Sequence, residues 1–173
     1  MIHQLIYVRN KGTKSNYKVI NIYLDIDRVL IDKNGVRSKM KTIRILILED
    51  DLETLSIIMS KLFNIEEKLY KDGKNKDIAV TVFSEYTEVE NYLNKKEKNS
   101  FDIILLDKDC KLTGSFHCLD FNKFDPNKII AISTVDEYNK EVEKRGVKSI
   151  CRKDYLNINK FGDSIIKKID KMI

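Results

Sequence analysis

The chain has 173 residues, of which 42% are hydrophobic and 9% aromatic, enough for one globular domain of ordinary size with a buried core. The net charge of +5 is localised: residues 1–41 hold nine Lys/Arg against three Asp/Glu, and residues 42–173 hold 23 against 24, so a nucleic-acid surface on the main body is not implied. No run approaches the roughly 18 apolar residues of a membrane span, MIHQLIYVRNKG lacks the pattern of a secretory signal, and three cysteines without disulfide-like spacing point to a reducing cytoplasm.

Residues 1–41 form a basic N-terminal extension with β-prone pieces (LIYV, YKVINIYLDI, RVLID) and then a polar stretch, KNGVRSK, read as a linker. From Thr42 onward strand-like and helix-like patterns alternate. Ile43 to Leu48 is a short, almost continuous apolar run, the pattern of a strand buried on both faces. Asp51 is placed to cap a helix with the stripe Leu52, Leu55, Ile58/Met59, Leu62. Residues 64–77 are polar and read as a surface insertion or extended loop. Ala79 to Phe83 is the second strand, and Ser84 opens a helix with Tyr86, Val89 and Leu93 on one face.

Ile103 to Leu106 and Ile129 to Ile132 are the third and fourth strands. Between them the pattern weakens, and Phe116, Leu119 and Phe124 suggest one short helix. Asp136 is placed to cap a helix ending at Gly146, a good C-terminal residue. Val147 to Cys151 is the fifth strand, and Phe161, Ile165 and Ile169 mark the last helix. The sum predicts an α/β fold, a (βα)5 doubly wound parallel sheet in three layers, over residues 42–173.

Five polar residues stand at the ends of four of these strands: Glu49 and Asp50, Asp107, Ser133, and Lys153. Strand C-termini in a parallel sheet converge on one rim, where ligands bind. Three carboxylates, a hydroxyl and an ammonium suit a hard Mg²⁺ ion and one phosphoryl group. Asp50 and Asp107 are placed to supply metal ligands, with a loop carbonyl near Asp109 as a third. Asp107 then keeps an oxygen as nucleophile, while Ser133 and Lys153 stabilise charge on the phosphoryl oxygens.

At these residues the chain resembles the receiver domain of bacterial response regulators, of the stand-alone, chemotaxis type. RILILEDD matches that family's first strand and acid pair, FDIILLDKD its phosphoacceptor strand, IIAIST its hydroxyl-bearing strand, and RGVKSICRKD its fifth strand with the lysine. The resemblance covers Thr42 to Ile173 and implies a flavodoxin-like fold. It implies Asp107 as phosphoacceptor, Glu49 and Asp50 as the acidic metal pocket, Ser133 as the switch hydroxyl and Lys153 as the phosphoryl-contacting lysine. It also implies a histidine kinase or phosphotransfer protein as donor and a downstream protein as target. Catalysis is expected only of the domain's own phosphorylation and dephosphorylation, with no DNA-binding domain and no membrane segment.

Departures from the family pattern fall on the readout. Asp154 stands where proline often follows the lysine, Lys108-Asp109-Cys110-Lys111 replaces the usual Met-Pro neighbourhood, and Ile150 occupies the position of the switch aromatic. A non-phosphorylated, receiver-like interaction module is the alternative that these departures keep open. Thr134 is the neighbouring candidate for the switch hydroxyl.

Other motifs have plainer readings. Cys110, His117 and Cys118 crowd one loop without paired metal-ligand spacing, so packing is favoured, with redox sensitivity open for an exposed thiol. NIYLDIDRVLIDKN resembles the first motif of haloacid-dehalogenase-type phosphatases, implying Asp25 as nucleophile and Asp27 as acid/base. The order of the remaining motifs and Arg28 after the second aspartate argue against it. Met40 directly precedes KTIRILILEDD, where a receiver would normally begin.

Overall fold

The computed structural model describes residues 29–31, 37–110 and 113–173. A short antiparallel hairpin comes first, β1 (Val29–Ile31) pairing with β2 (Arg37–Lys39). The end of the segment read as a linker is therefore strand. The main sheet has five parallel strands: β3 (Lys41–Leu48), β4 (Lys76–Phe83), β5 (Ile103–Leu106), β6 (Ile129–Ser133) and β7 (Ser149–Arg152), in the order β4-β3-β5-β6-β7. Counted within this sheet the order is 2-1-3-4-5, the flavodoxin-like doubly wound arrangement that receiver domains share. Among the described residues four α-helices cover it: α1 (Leu52–Lys71), α2 (Tyr86–Asn91), α3 (Asp136–Lys144) and α4 (Ile158–Asp170).

The three layers follow from the period-2 geometry of a strand. Ile45 and Ile47, Ile103 and Leu105, and Ile130 and Ile132 face one side, with Ile58, Leu62, Phe161 and Ile165 of α1 and α4. Leu46 and Leu48, Ile104 and Leu106, and Ile129 and Ala131 face the other, with Val89 of α2 and Val142 of α3. Both faces of the central strands are thus covered, which is why these strands read as unbroken apolar runs rather than alternating ones.

Strand ends shift by two or three residues, as at Lys76 and Ser149, and the second helix begins at Tyr86 rather than Ser84. Three larger differences from the sequence expectation stand out. Residues 64–71 are helix rather than loop, because Ile65 and Leu69 continue the buried stripe of Thr54, Ile58 and Leu62. Their acidic and basic neighbours lie on the solvent side and mask the periodicity. Leu52 drops out of that stripe and is 74% exposed. In the second case no α-helix joins β5 to β6 among the described residues. Two 3₁₀ turns stand there, Phe116–Cys118 and Pro126–Lys128, although Phe116, Leu119 and Phe124 are buried as expected.

Long-range bonds replace the missing helix. The Arg145 guanidinium donates to the carbonyls of His117 (2.7 Å) and Leu119 (3.0 Å), and Asn94 Nδ2 donates to that of Cys118 (2.9 Å). Gly114 is required by a close approach, since a Cβ there would lie 1.7 Å from the Tyr86 ring.

The third difference is the start of α3. Asp136 is its first residue rather than its cap, and no side chain caps the helix at Val135. Gly146 does follow α3 with a φ of +97°, a conformation that favours glycine.

The extended α1 makes a direct prediction. Ile65→Ala truncates a side chain that is 5% exposed and is expected to cost about 2 kcal/mol or more in chemical denaturation. Leu52→Ala should change stability by less than about 0.5 kcal/mol. Near-equal effects of the two would contradict the observed helix face.

Candidate functional site

In an open parallel sheet the cleft lies where strand order reverses. Here that point is between β3 and β5, because β4 lies on one side of β3 and all later strands on the other. Leu48 and Leu106, the last residues of β3 and β5, are in register. The ladder continues one residue beyond each strand, with the amide of Glu49 donating to the Phe83 carbonyl (3.0 Å) and that of Asp107 to the Leu48 carbonyl (3.0 Å). Across the sheet the Lys153 amide donates to the Ser133 carbonyl (2.9 Å). These bonds fix the rim residues on rigid backbone.

Lys153 Nζ lies 2.9 Å from Asp107 Oδ2 and 2.7 Å from Glu49 Oε2. All three residues are buried, Glu49 completely. Glu49 Oε1 accepts from the amides of Asp50 (3.1 Å) and Asp51 (2.9 Å), so this carboxylate also shapes the turn into α1. Asp51 caps that helix as expected, accepting from the Thr54 amide at 3.0 Å and its hydroxyl at 2.7 Å.

Burial raises the Glu49 carboxyl to about 7, with the Asp107 charge adding to the rise and Lys153 opposing it. Asp107 is also raised, chiefly by burial, against the pull of Lys153. Burial alone would lower the Lys153 ammonium, but the two carboxylates together outweigh it and hold the group above its ordinary value.

One carboxylate oxygen from each of Glu49, Asp50 and Asp107 lies within 4.8 Å of the others, so the group could hold a metal cation. Lys153 pairs with two of these carboxylates, Glu49 and Asp107. Glu49 Oε2 is buried without a well-directed hydrogen-bond donor, its contact with Lys153 being an ion pair rather than an aligned bond. Both Glu49 oxygens are in contact with the chain, Oε1 with two backbone amides and Oε2 with the Lys153 ammonium.

Of the two candidate hydroxyls, Ser133 is buried at the end of β6 and Thr134 is exposed. Ser133 Oγ accepts from the Val135 amide at 3.1 Å, in the turn leading to α3. Cys110, His117 and Cys118 do not assemble as a metal site. Among the described residues only Glu49, Asp50 and Asp107 form such a group. Cys110 is buried and its thiol is pushed up to about 12, chiefly by burial, which removes thiolate reactivity near neutral pH. His117 instead has Nδ1 3.6 Å from Glu141. Asp25 and Asp27 lie outside the described residues. Ile150 packs half-buried against the core between the sheet and α3.

Sequence reasoning missed two supports of the site. One is the acceptance of two backbone amides by Glu49. The other is a contact from Lys108, directly after Asp107, to Tyr138 of α3, where Nζ lies 3.7 Å from the ring centroid. No spacing rule links those two positions.

The raised Glu49 carboxyl has a pH consequence in metal-free buffer. A group held above its unfolded value contributes its full stability below about 4.5 and loses it as pH rises through about 7. Glu49→Gln keeps the amide contacts but carries no charge. Its stability relative to the parent should therefore improve from pH 4.5 to pH 7.5, by up to about 3 kcal/mol. A difference independent of pH in urea unfolding would refute the assignment.

No family model matches the chain, and no curated protein does. Among solved structures, the chain is similar to a bacteriophytochrome response regulator, at 17% identity and a TM-score of 0.49, over 76% of this chain and 93% of that one.

Proposed function

We propose that the domain is a phosphoacceptor receiver of a two-component or phosphorelay pathway, taking a phosphoryl group on Asp107 in a Mg²⁺-dependent step. The observation that carries this reading is the Lys153 ammonium seated between Glu49 and Asp107 at the reversal point of the sheet, beside Asp50. A lysine that only balanced buried acids would need no third carboxylate at the same place.

The chemistry requires little motion. Lys153 holds Asp107 Oδ2, which leaves Oδ1 to attack phosphorus. The new O–P bond forms as the donor's P–N bond breaks, and the leaving imidazole keeps the bonding electron pair and takes a proton from solvent. Lys153 is placed to follow the charge onto the phosphoryl oxygens, and Ser133 to donate its hydroxyl proton to one of them. Asp50 and Asp107, with Glu49 behind them, would hold Mg²⁺, which when bound would supply neutralisation of the same charge. The donor is a histidine kinase or phosphotransfer protein, and the recipient of the altered surface is a downstream protein.

Incubation with phosphoramidate and Mg²⁺ should give an acid-stable, base-labile adduct of one phosphoryl group by intact mass. Asp107→Asn and chelation should abolish it, and Lys153→Ala should slow it by at least tenfold, the scale of a lost charge contact. A chain beginning at Met40 should react like the full chain. No adduct on a folded protein would overturn this reading in favour of a receiver-like interaction module.

A further inference from the structure

Lys108 is held at both ends of its length. Its backbone carbonyl accepts from the Phe116 amide at 2.8 Å. Its ammonium lies 3.7 Å from the centroid of the Tyr138 ring and 2.8 Å from Asp109 Oδ1. The side chain is only 21% exposed, so it is a fixed connector rather than a solvated surface lysine. Tyr138 lies in the first turns of α3, and its half-buried ring is the point at which the segment leaving Asp107 touches that helix.

Among the described residues, the first half of α3 buries Asn139, and its ion pair lies at the surface. Arg145 and Glu141 anchor the C-terminal half to the 113–119 segment. At the N-terminus no side chain caps the helix, and the Asp136–Arg152 pair is exposed and 3.7 Å long. The position on β7 that faces α3 is Ile150, an aliphatic side chain without a polar end.

We infer that Lys108 and Tyr138 form the connection through which a change at Asp107 reaches α3. This inference rests on the phosphoacceptor reading above. When the Asp107 carboxylate becomes an acyl phosphate, the added negative charge beside Lys108 draws its ammonium from the Tyr138 ring. The first half of α3 then loses the cation–π contact, and its population shifts toward a displaced arrangement. A ligand can bias α3 only through contacts that differ between the two states, and this pair supplies one.

The test uses the full chain labelled with 3-fluorotyrosine, with the Tyr138 resonance assigned by Tyr138→Phe. Mg²⁺ and beryllofluoride serve as the phosphoryl mimic, and bound beryllofluoride gives its own ¹⁹F signal. The Tyr138 resonance is expected to move on loading in the parent chain and to move at least several-fold less in Lys108→Met, with the bound signal intact. Lys108→Arg, which keeps a cation over the ring, should restore the response. An undiminished Tyr138 shift in Lys108→Met would overturn the inference. Absence of any bound beryllofluoride signal in the parent chain would instead overturn the phosphoacceptor reading, and this inference with it.

Discussion

The site depends on one ammonium. Lys153 stands within 3 Å of two buried carboxylates, and neither Glu49 nor Asp107 is tolerable at that depth as an isolated charge. Such a pair is weak evidence of stabilisation, because desolvation offsets much of the attraction. Its value lies in position. The lysine fixes where two acids can sit, and the sheet fixes where the lysine can sit.

The parallel sheet provides that fixity through backbone bonds extending one residue past the strands. Glu49, Asp107 and Lys153 therefore have little freedom to move away from one another. Their burial appears instead as raised Glu49 and Asp107 carboxyl values and as a Glu49 oxygen without a directed donor. Perturbed carboxyls of this kind are compatible with the proposed cation site.

Legibility in the sequence followed the physics of each element. Ile43–Leu48 and Ile103–Leu106 could be read because burial on both faces leaves no polar residue to interrupt the run. The gathering of Glu49, Asp50, Asp107 and Lys153 on one rim could be read because the strand ends follow once the strands are known. The second half of α1 was obscured because one apolar residue in three or four suffices to seat a helix edge, and NIEEKLYK looks polar when read as a string. The segment between β5 and β6 was obscured for another reason. Its path is set by Arg145, Asn94 and the Gly114–Tyr86 approach, all distant in sequence, and its own residues carry no period.

The order of the strands has a consequence for how the chain comes to be folded. Lys153 follows the final strand of the sheet, whereas both of its acidic partners belong to earlier strands. During synthesis β3, β4 and β5 become available before their counter-ion exists. A partly made sheet would bring Glu49 and Asp107 together with nothing to balance them, so early closure of this rim is disfavoured. Docking of β7 then completes the sheet and neutralises the rim in one event. The ion pairs of the rim therefore form only with β7, the edge strand at the far end of the sheet order.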